Sequence, residues 1–304
     1  MPAIFELDTD AKIERLIHVL RNFLNYLLHH DVCPEYKDQI NAARRTCDLA
    51  EVQLPLIREA SSLIPGAFNR ACSTIFGGSY KDSYLGDNEE AMQMGCAPGL
   101  SPTEALKIFA GGMAAYAEIS QVQTYNQAIK VRKSPHVQTT RSYIEVKSIH
   151  FSDREVRALY AHQSMSGLET LGKLNAVSWH CPASSPEDLT EEEEAHIAKN
   201  GRPIKEYQFW MEDSLLEKLF VGLKLEVDIH ELSFGVWYFD LVTAMLCSFY
   251  EDIPNEWMIG WKDHRYIPPR DSIYKEGERE VRVAIGKGDG VPLSRVKVED
   301  SDLD

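Results

Sequence analysis

A cysteine, two histidine–cysteine groups and a tryptophan pair are the places where this 304-residue sequence could do chemistry. The stretch PGAFNRACSTIFGGSY, residues 65–80, sets Cys72 between Arg70 and the pair Ser73-Thr74, with Gly77 and Gly78 following. A nucleophilic thiol needs a neighbouring base and a depressed pKa, and this stretch contains no histidine. Cys72 shares a helical face with Phe68, Ile75 and Phe76, so the plainer reading is an inward-facing thiol. HHDVC gathers His29, His30 and Cys33, while His180 and Cys181 lie adjacent much later in the chain. Zinc takes about four such ligands, and only convergence of the two groups would supply them. Histidines ahead of Pro34 also suit the negative pole of a helix C-terminus. The expectation is no catalytic residue, no metal and no cofactor.

Four further motifs carry weaker chemistry. GKGDG, 286–290, lacks the upstream glycine spacing and the following Ser or Thr of a phosphate-binding loop. EEEE, 191–194, spreads its carboxylates around a helix and reads as a solvated first turn. VKVED, 296–300, puts Lys297 in the hydrophobic-Lys-x-Glu pattern of acceptors for small ubiquitin-like modifiers. IPNEWMIGWKDHRYIPPR, 253–270, is the richest segment. Trp, Tyr and Arg are the residue types that anchor interfaces, so Trp257, Trp261, Arg265 and Tyr266 are the candidate partner-binding residues. The alternative is that the two tryptophans, four apart, seat a helical turn on the core.

These residues need elements to position them. Ile13, Leu16, Ile17, Leu20, Phe23, Leu24, Leu27 and Leu28 recur at three and four, which predicts a helix from 10 to about 31. Tyr36, Ile40, Ala43, Cys47, Ala50 and Leu54 predict a second helix packed on the first, opened by Pro34 and closed near Pro55. Pro65 suits the first turn of a third helix that Gly77 and Gly78 end. SPTE, 101–104, supplies an N-cap serine, a first-turn proline and a capping glutamate for a fourth, with Gly111 and Gly112 as a weak point.

VRKSPHVQTTR reads as a linker. Beyond it Tyr143–Ile149 predicts a strand, SDRE at 152–155 caps a short helix, and DLTEEEEAHIAKN opens another at Thr190. LKLEVDI, 223–229, alternates apolar with charged residues and is the cleanest strand signal. The expected fold is α+β: an all-helical bundle over 10–135, a mixed unit over 141–268 with a small, largely antiparallel sheet, and a charged tail over 269–304.

Composition limits the function classes. With 44% hydrophobic residues the chain can bury a large core. Its six cysteines form no CxxC pair, and no Asn-X-Ser/Thr acceptor occurs, which fits a reducing, intracellular compartment. MPAIFELDTD is acidic where a signal peptide is basic and then apolar, so secretion is not expected. The apolar run Leu232–Tyr250 has Asp240 at its centre, which would cost roughly 3 kcal/mol in a bilayer, so the run reads as protein core. Net charge is −15, concentrated after residue 150. Such a surface opposes unaided binding to phosphate backbones and favours a basic protein partner.

RNFLNYLLHHDVCPEYKDQINAARRTCDLAE (21–51), LIPGAFNRACSTIFGGSY (63–80), LGKLNAVSWH (171–180), DLTEEEE (188–194) and the long aromatic block 209–261 together resemble one family: the larger, Argonaute-binding subunit of the fungal Argonaute siRNA chaperone (ARC) complex. Members carry a further N-terminal segment, and 120–165 departs from their pattern. The resemblance implies a protein that is not an enzyme. Its implied partners are Argonaute, a second chaperone subunit and, indirectly through Argonaute, duplex siRNA, with no membrane. It also implies a part in RNA interference and heterochromatic silencing, in the nucleus and cytoplasm. A cysteine- or zinc-dependent enzyme built on Cys72 or on His29, His30 and Cys33, and a general scaffold, are the alternatives.

Overall fold

The structure, a computed structural model, describes residues 9–84, 99–131, 135–162, 165, 167–181, 190, 192, 195, 197, 199 and 201–251. The chain divides into Met1–Pro254 and Asn255–Asp304, and the fold below belongs to the first.

Thr9, in extended conformation, accepts a hydrogen bond from the Lys12 N–H and starts α1, Asp10–His29. A 3-10 turn at Pro34–Tyr36 leads into α2, Lys37–Leu63. The predicted stripes meet: Ile13, Ile17 and Leu24 of α1 pack on Cys47, Ala50 and Leu54 of α2. Arg21 spans to Asp48 at 2.9 Å and Glu51 at 2.6 Å, and Arg58 to Asp10 at 2.8 Å. Exposed pairs of this kind contribute about 0–1 kcal/mol each, so they fix register more than stability.

The expected stop at Pro55 is not observed, because α2 runs through it to Leu63. An internal proline loses an N–H and crowds the carbonyl four residues back, at about 3 kcal/mol. The turns beyond it carry Ala60 into the sheet core with Ile57 and Ile64 packed beside it, and that burial offsets the defect. Helix propensity alone could not forecast this.

α3, Ala67–Phe76, has Gly66 as its N-cap, so Pro65 precedes the helix and does not occupy its first turn. Gly77 and Gly78, at φ +107° and +143°, end it as expected. In α4, Pro102–Tyr116, the Ser101 hydroxyl accepts from the Glu104 N–H at 3.2 Å. Gly111 and Gly112 are no weak point: both are buried inside the helix. A Cβ on Gly112 would stand 2.3 Å from the Phe68 ring, so the missing side chain is what lets α4 approach α3. α5, Ile119–Lys130, opens with a reciprocal Glu118–Gln121 capping box.

The strands are β1 (His136–His150), β2 (Leu171–Ser178), β3 (Glu206–Glu212), β4 (Lys224–Leu232) and β5 (Trp237–Leu246). They pair antiparallel throughout, in the order β3-β2-β1-β4-β5. The α+β expectation therefore holds. α6, Arg154–Tyr160, follows β1 with Asp153 as its cap, and α7, Asp213–Leu216, follows β3.

His136–Arg141, read from the sequence as linker, is the first part of β1. Its ladder to β4 is held by exposed polar cross-strand pairs, Arg141–Asp228 at 2.8 Å and Gln138–Glu231 at 3.0 Å. Such pairs stabilise strands without leaving the apolar alternation by which strands are recognised.

One sheet face buries Ile144, Val146, Leu174, Phe209, Leu225, Val227 and Phe239 under Ala60, Leu215, Leu216 and Leu219. The other receives α3 and α4: Phe68, Cys72 and Phe109 pack with Trp210, Leu232 and Tyr238. Helices and sheet thus share their cores. Among the described residues no helix is long and apolar enough to cross a membrane.

Candidate interaction surface

β3 and β5 are the two edges of the sheet, yet their rings meet. Phe209 and Phe239 stand 4.9 Å apart edge to face, and Tyr207 and Trp237 5.5 Å apart. The sheet curls until its edges face across a seam, and no strand ladder closes it among the described residues. Asn69 of α3 spans the gap instead. Its Nδ2 donates to the Trp210 carbonyl at 3.4 Å and to the Pro65 carbonyl at 2.8 Å, while its Oδ1 accepts the Phe239 N–H at 3.3 Å. A fully buried carboxamide here acts as one substitute peptide group.

Close by, Asp240 collects hydrogen bonds. Ser73 Oγ donates to its Oδ2 at 2.7 Å, the Ser79 N–H to the same oxygen at 2.6 Å, and His230 Nε2 lies 2.9 Å from its Oδ1. His230 Nδ1 in turn meets Thr139 Oγ1 at 2.9 Å, with His136 Nε2 at 3.4 Å. Burial alone would raise the Asp240 carboxyl, but hydrogen bonds from His230, Ser73 and the Ser79 amide outweigh it and hold it below the usual range. The residue types are those of a hydrolase triad, but the order is wrong. Ser73 bonds the carboxylate where a nucleophile would bond the imidazole, so the cluster pins the turn after α3 to β4 and β5. Gly78 makes room, since a Cβ there would sit 2.1 Å from Asp240 Oδ2.

Cys72 is completely buried, and burial, reinforced by Glu212, pushes its thiol well above the ordinary value. That is the opposite of nucleophile activation. Glu212 is itself buried, with Oε1 accepting the Phe68 N–H at 2.7 Å and Oε2 unpartnered among the described residues. Burial pushes its carboxyl up.

The remaining sequence candidates fall in different places. His29 and His30 stand exposed at the end of α1, their rings 4.9 Å apart, and Cys33 is half-buried beyond them. Cys181 is buried and His180 exposed. Among the described residues no three His, Cys, Asp or Glu side chains are placed to hold a metal ion. Trp257, Trp261, Arg265, Tyr266 and Lys297 lie outside the described residues, as does most of DLTEEEEAHIAKN.

Among the described residues, two surfaces that sequence reasoning missed are candidates for partner contact. α1 buries Ile13 and Ile17, while Val19, Leu20, Phe23 and Tyr26 remain 45–58% exposed. α1 is apolar around more of its circumference than α2 covers, which makes this ridge a candidate interaction surface. Its signal was the surplus of apolar positions in the periodic stretch. The second surface is a cleft of about 700 Å³ where the β3–β5 seam opens, lined by Tyr116, Lys147, Lys173, Gln208, Trp210 and Trp237 among others. Lys173 Nζ stands 4.7 Å from the Tyr116 ring centre, and Lys205 Nζ 4.4 Å from that of Trp237.

Comparison with known proteins bears on what these surfaces serve. The family model described as Argonaute siRNA chaperone (ARC) complex subunit Arb1 matches residues 1–264. Argonaute-binding protein 1 of Schizosaccharomyces pombe (strain 972 / ATCC 24843) is 22% identical over 257 residues, covering 82% of this chain and 59% of that protein. The chain thus spans less than two thirds of its curated relative. No solved structure matches.

Proposed function

This chain belongs to the family of Argonaute siRNA chaperone (ARC) complex subunit Arb1, and on that premise we propose that it is a non-catalytic, Argonaute-binding subunit of an siRNA chaperone complex. It associates with Argonaute and a second chaperone subunit, reaches duplex siRNA through Argonaute, and acts in RNA interference and heterochromatic silencing in the nucleus and cytoplasm. The observation that carries a binding role is the uncovered apolar ridge Val19, Leu20, Phe23 and Tyr26 on α1. Two features favour recognition over chemistry. The cysteine singled out by the sequence is sealed in the core with its thiol pushed up, and the Ser73–Asp240–His230 grouping is wired as a brace. A net charge of −15 suits a partner made basic by its RNA-binding task. Trp257, Trp261, Arg265 and Tyr266 are proposed as further contact residues, and Lys297 as a modification site.

The test is a pull-down of purified Argonaute carrying duplex siRNA by the wild-type chain and by a Val19→Asp, Phe23→Asp variant. Wild type should retain Argonaute after ribonuclease treatment, and the variant should lose most of it with its melting temperature little changed. Equal retention by both would remove the ridge from the account, and no retention by wild type would remove the Argonaute reading.

A further inference from the structure

α1 carries two apolar seams. At about 3.6 residues per turn, Ile13, Ile17 and Leu24 lie along one line of the helix, and that line is packed on α2. Leu16, Val19, Phe23 and Tyr26 follow one another at spacings of three, four and three. They form a second line about 100° around the helix from the first. His30 continues it at the next spacing of four, its ring 4.4 Å from that of Tyr26. Leu16 is half-buried, while Val19, Phe23 and Tyr26 are 58%, 57% and 56% exposed. The second seam therefore extends for about 21 Å of helix and has the three-four repeat of the a and d positions of paired helices.

A seam of that period is matched by another helix, whose side chains drop between those of the first at the same repeat. An extended strand, with its period of two, has no such match. Charge then gives the occupant a sign. Along the border of the second seam away from α2 stand Arg15, Asn22 and His29, seven apart, at the flanking positions that in paired helices select the partner's charge. Both carboxylates of α1 lie elsewhere. Glu14 is about 160° around the helix from the seam, and Asp10 is bonded to Arg58 of α2 at 2.8 Å. Arg21, also on that far side, holds Asp48 and Glu51 of α2 at 2.9 and 2.6 Å. In a chain of net charge −15, the outer border of this seam on α1 is cationic or neutral, and its complement is negative.

We propose that the Leu16–Tyr26 seam seats an amphipathic α-helix of a partner protein, apolar at every third and fourth residue and acidic on the flank that meets Arg15, so that α1, α2 and the incoming helix form a three-helix unit. This rests on the reading of the ridge as a partner-binding surface and names what the partner offers there. A second copy of this chain fits less well, because its own seam would bring the same cationic border.

The probe is a displayed library of peptides about three heptads long, with a and d varied among Leu, Ile, Ala and Ser and the flanks among Glu, Lys and Gln. It is selected on the wild-type chain and depleted on the Val19→Asp, Phe23→Asp variant. Enriched peptides should keep Leu or Ile at both a and d, favour Glu on one flank and gain helicity by circular dichroism on binding. Their affinity by fluorescence anisotropy should fall about tenfold or more for the aspartate variant, which corresponds to about 1.4 kcal/mol. Should that variant melt below wild type, Arg15→Glu decides, and selection on it should exchange Glu for Lys on the flank. Enrichment without the apolar repeat, binding without gain of helix, or an unchanged flank preference on Arg15→Glu would each overturn the proposal. So would a wild-type dimer in sedimentation that the aspartate variant abolishes, since a second copy would then occupy the seam. The two readings fail separately. Argonaute retained by wild type with no helical peptide enriched removes the helix alone, whereas helical peptides enriched with no Argonaute retained removes Argonaute and leaves the helix seat.

Discussion

His230 Nε2 and Asp240 Oδ1 stand 2.9 Å apart, with side chains only 5% and 1% exposed. This pair lets an apolar run with a carboxylate at its centre serve as a buried strand of the core. It also ties part of the stability to pH. The Asp240 carboxyl is held below its unfolded value of about 3.9. Its contribution is therefore present above that pH and is lost as pH falls through the folded value.

Replacing Asp240 by Asn should cost about 3 kcal/mol at neutral pH, the scale for breaking a buried hydrogen-bonded charge. The urea midpoint of the variant should also lose part of its acid dependence below pH 4. An unfolding free energy within about 0.5 kcal/mol of wild type at pH 7, as at ordinary surface sites, would show that the brace carries no load.

Glu212 has the opposite sign. Its carboxyl is pushed up by burial, so its contribution is full below the unfolded value of about 4.3 and is lost as pH rises through the folded one. Glu212→Gln keeps an oxygen for the Phe68 N–H and removes the buried charge. Its stability relative to wild type should rise between pH 4 and neutrality. A constant difference across that range would contradict the assignment.

These two carboxylates show what the sequence could not reveal. Periodicity exposed α1, α2 and the strand around LKLEVDI because each buries a regular stripe of its own residues. Ser101-Pro102-Thr103-Glu104 announced α4 because capping is local. Asp240 with Ser73, or Asn69 with Trp210, joins residues more than 140 positions apart, and no spacing rule reaches that far. β2 and β3 passed unrecognised as strands. β2 keeps only a partial alternation around Lys173 and Asn175, while Phe209–Glu212 is buried on both faces. The ridge on α1 was visible as apolar residues, but its exposure depends on α2 covering one side alone.

Gly112→Ala tests the contact between α3 and α4. Alanine would improve helix propensity by about 1 kcal/mol, but its methyl would press on the buried Phe68 ring, and overpacking costs about 1–3 kcal/mol. The expected outcome is a lower melting temperature. A higher one would mean that the ring yields freely.

Thiol labelling separates Cys72 from a reactive site. With its thiol fully buried and pushed up, Cys72 should react with Ellman's reagent only as fast as the core opens, well after half-buried Cys33. Rapid selective labelling of Cys72 in the native protein would revive the cysteine-enzyme alternative.

The central claim is recognition of Argonaute by protein surface, without bond-making. Its most direct test is the equilibrium affinity of the purified chain for Argonaute carrying duplex siRNA, measured after ribonuclease treatment and across a salt series. Direct binding that survives ribonuclease and weakens as salt screens the acidic surface is the predicted result. Absence of binding, or binding that disappears with the RNA, would contradict it.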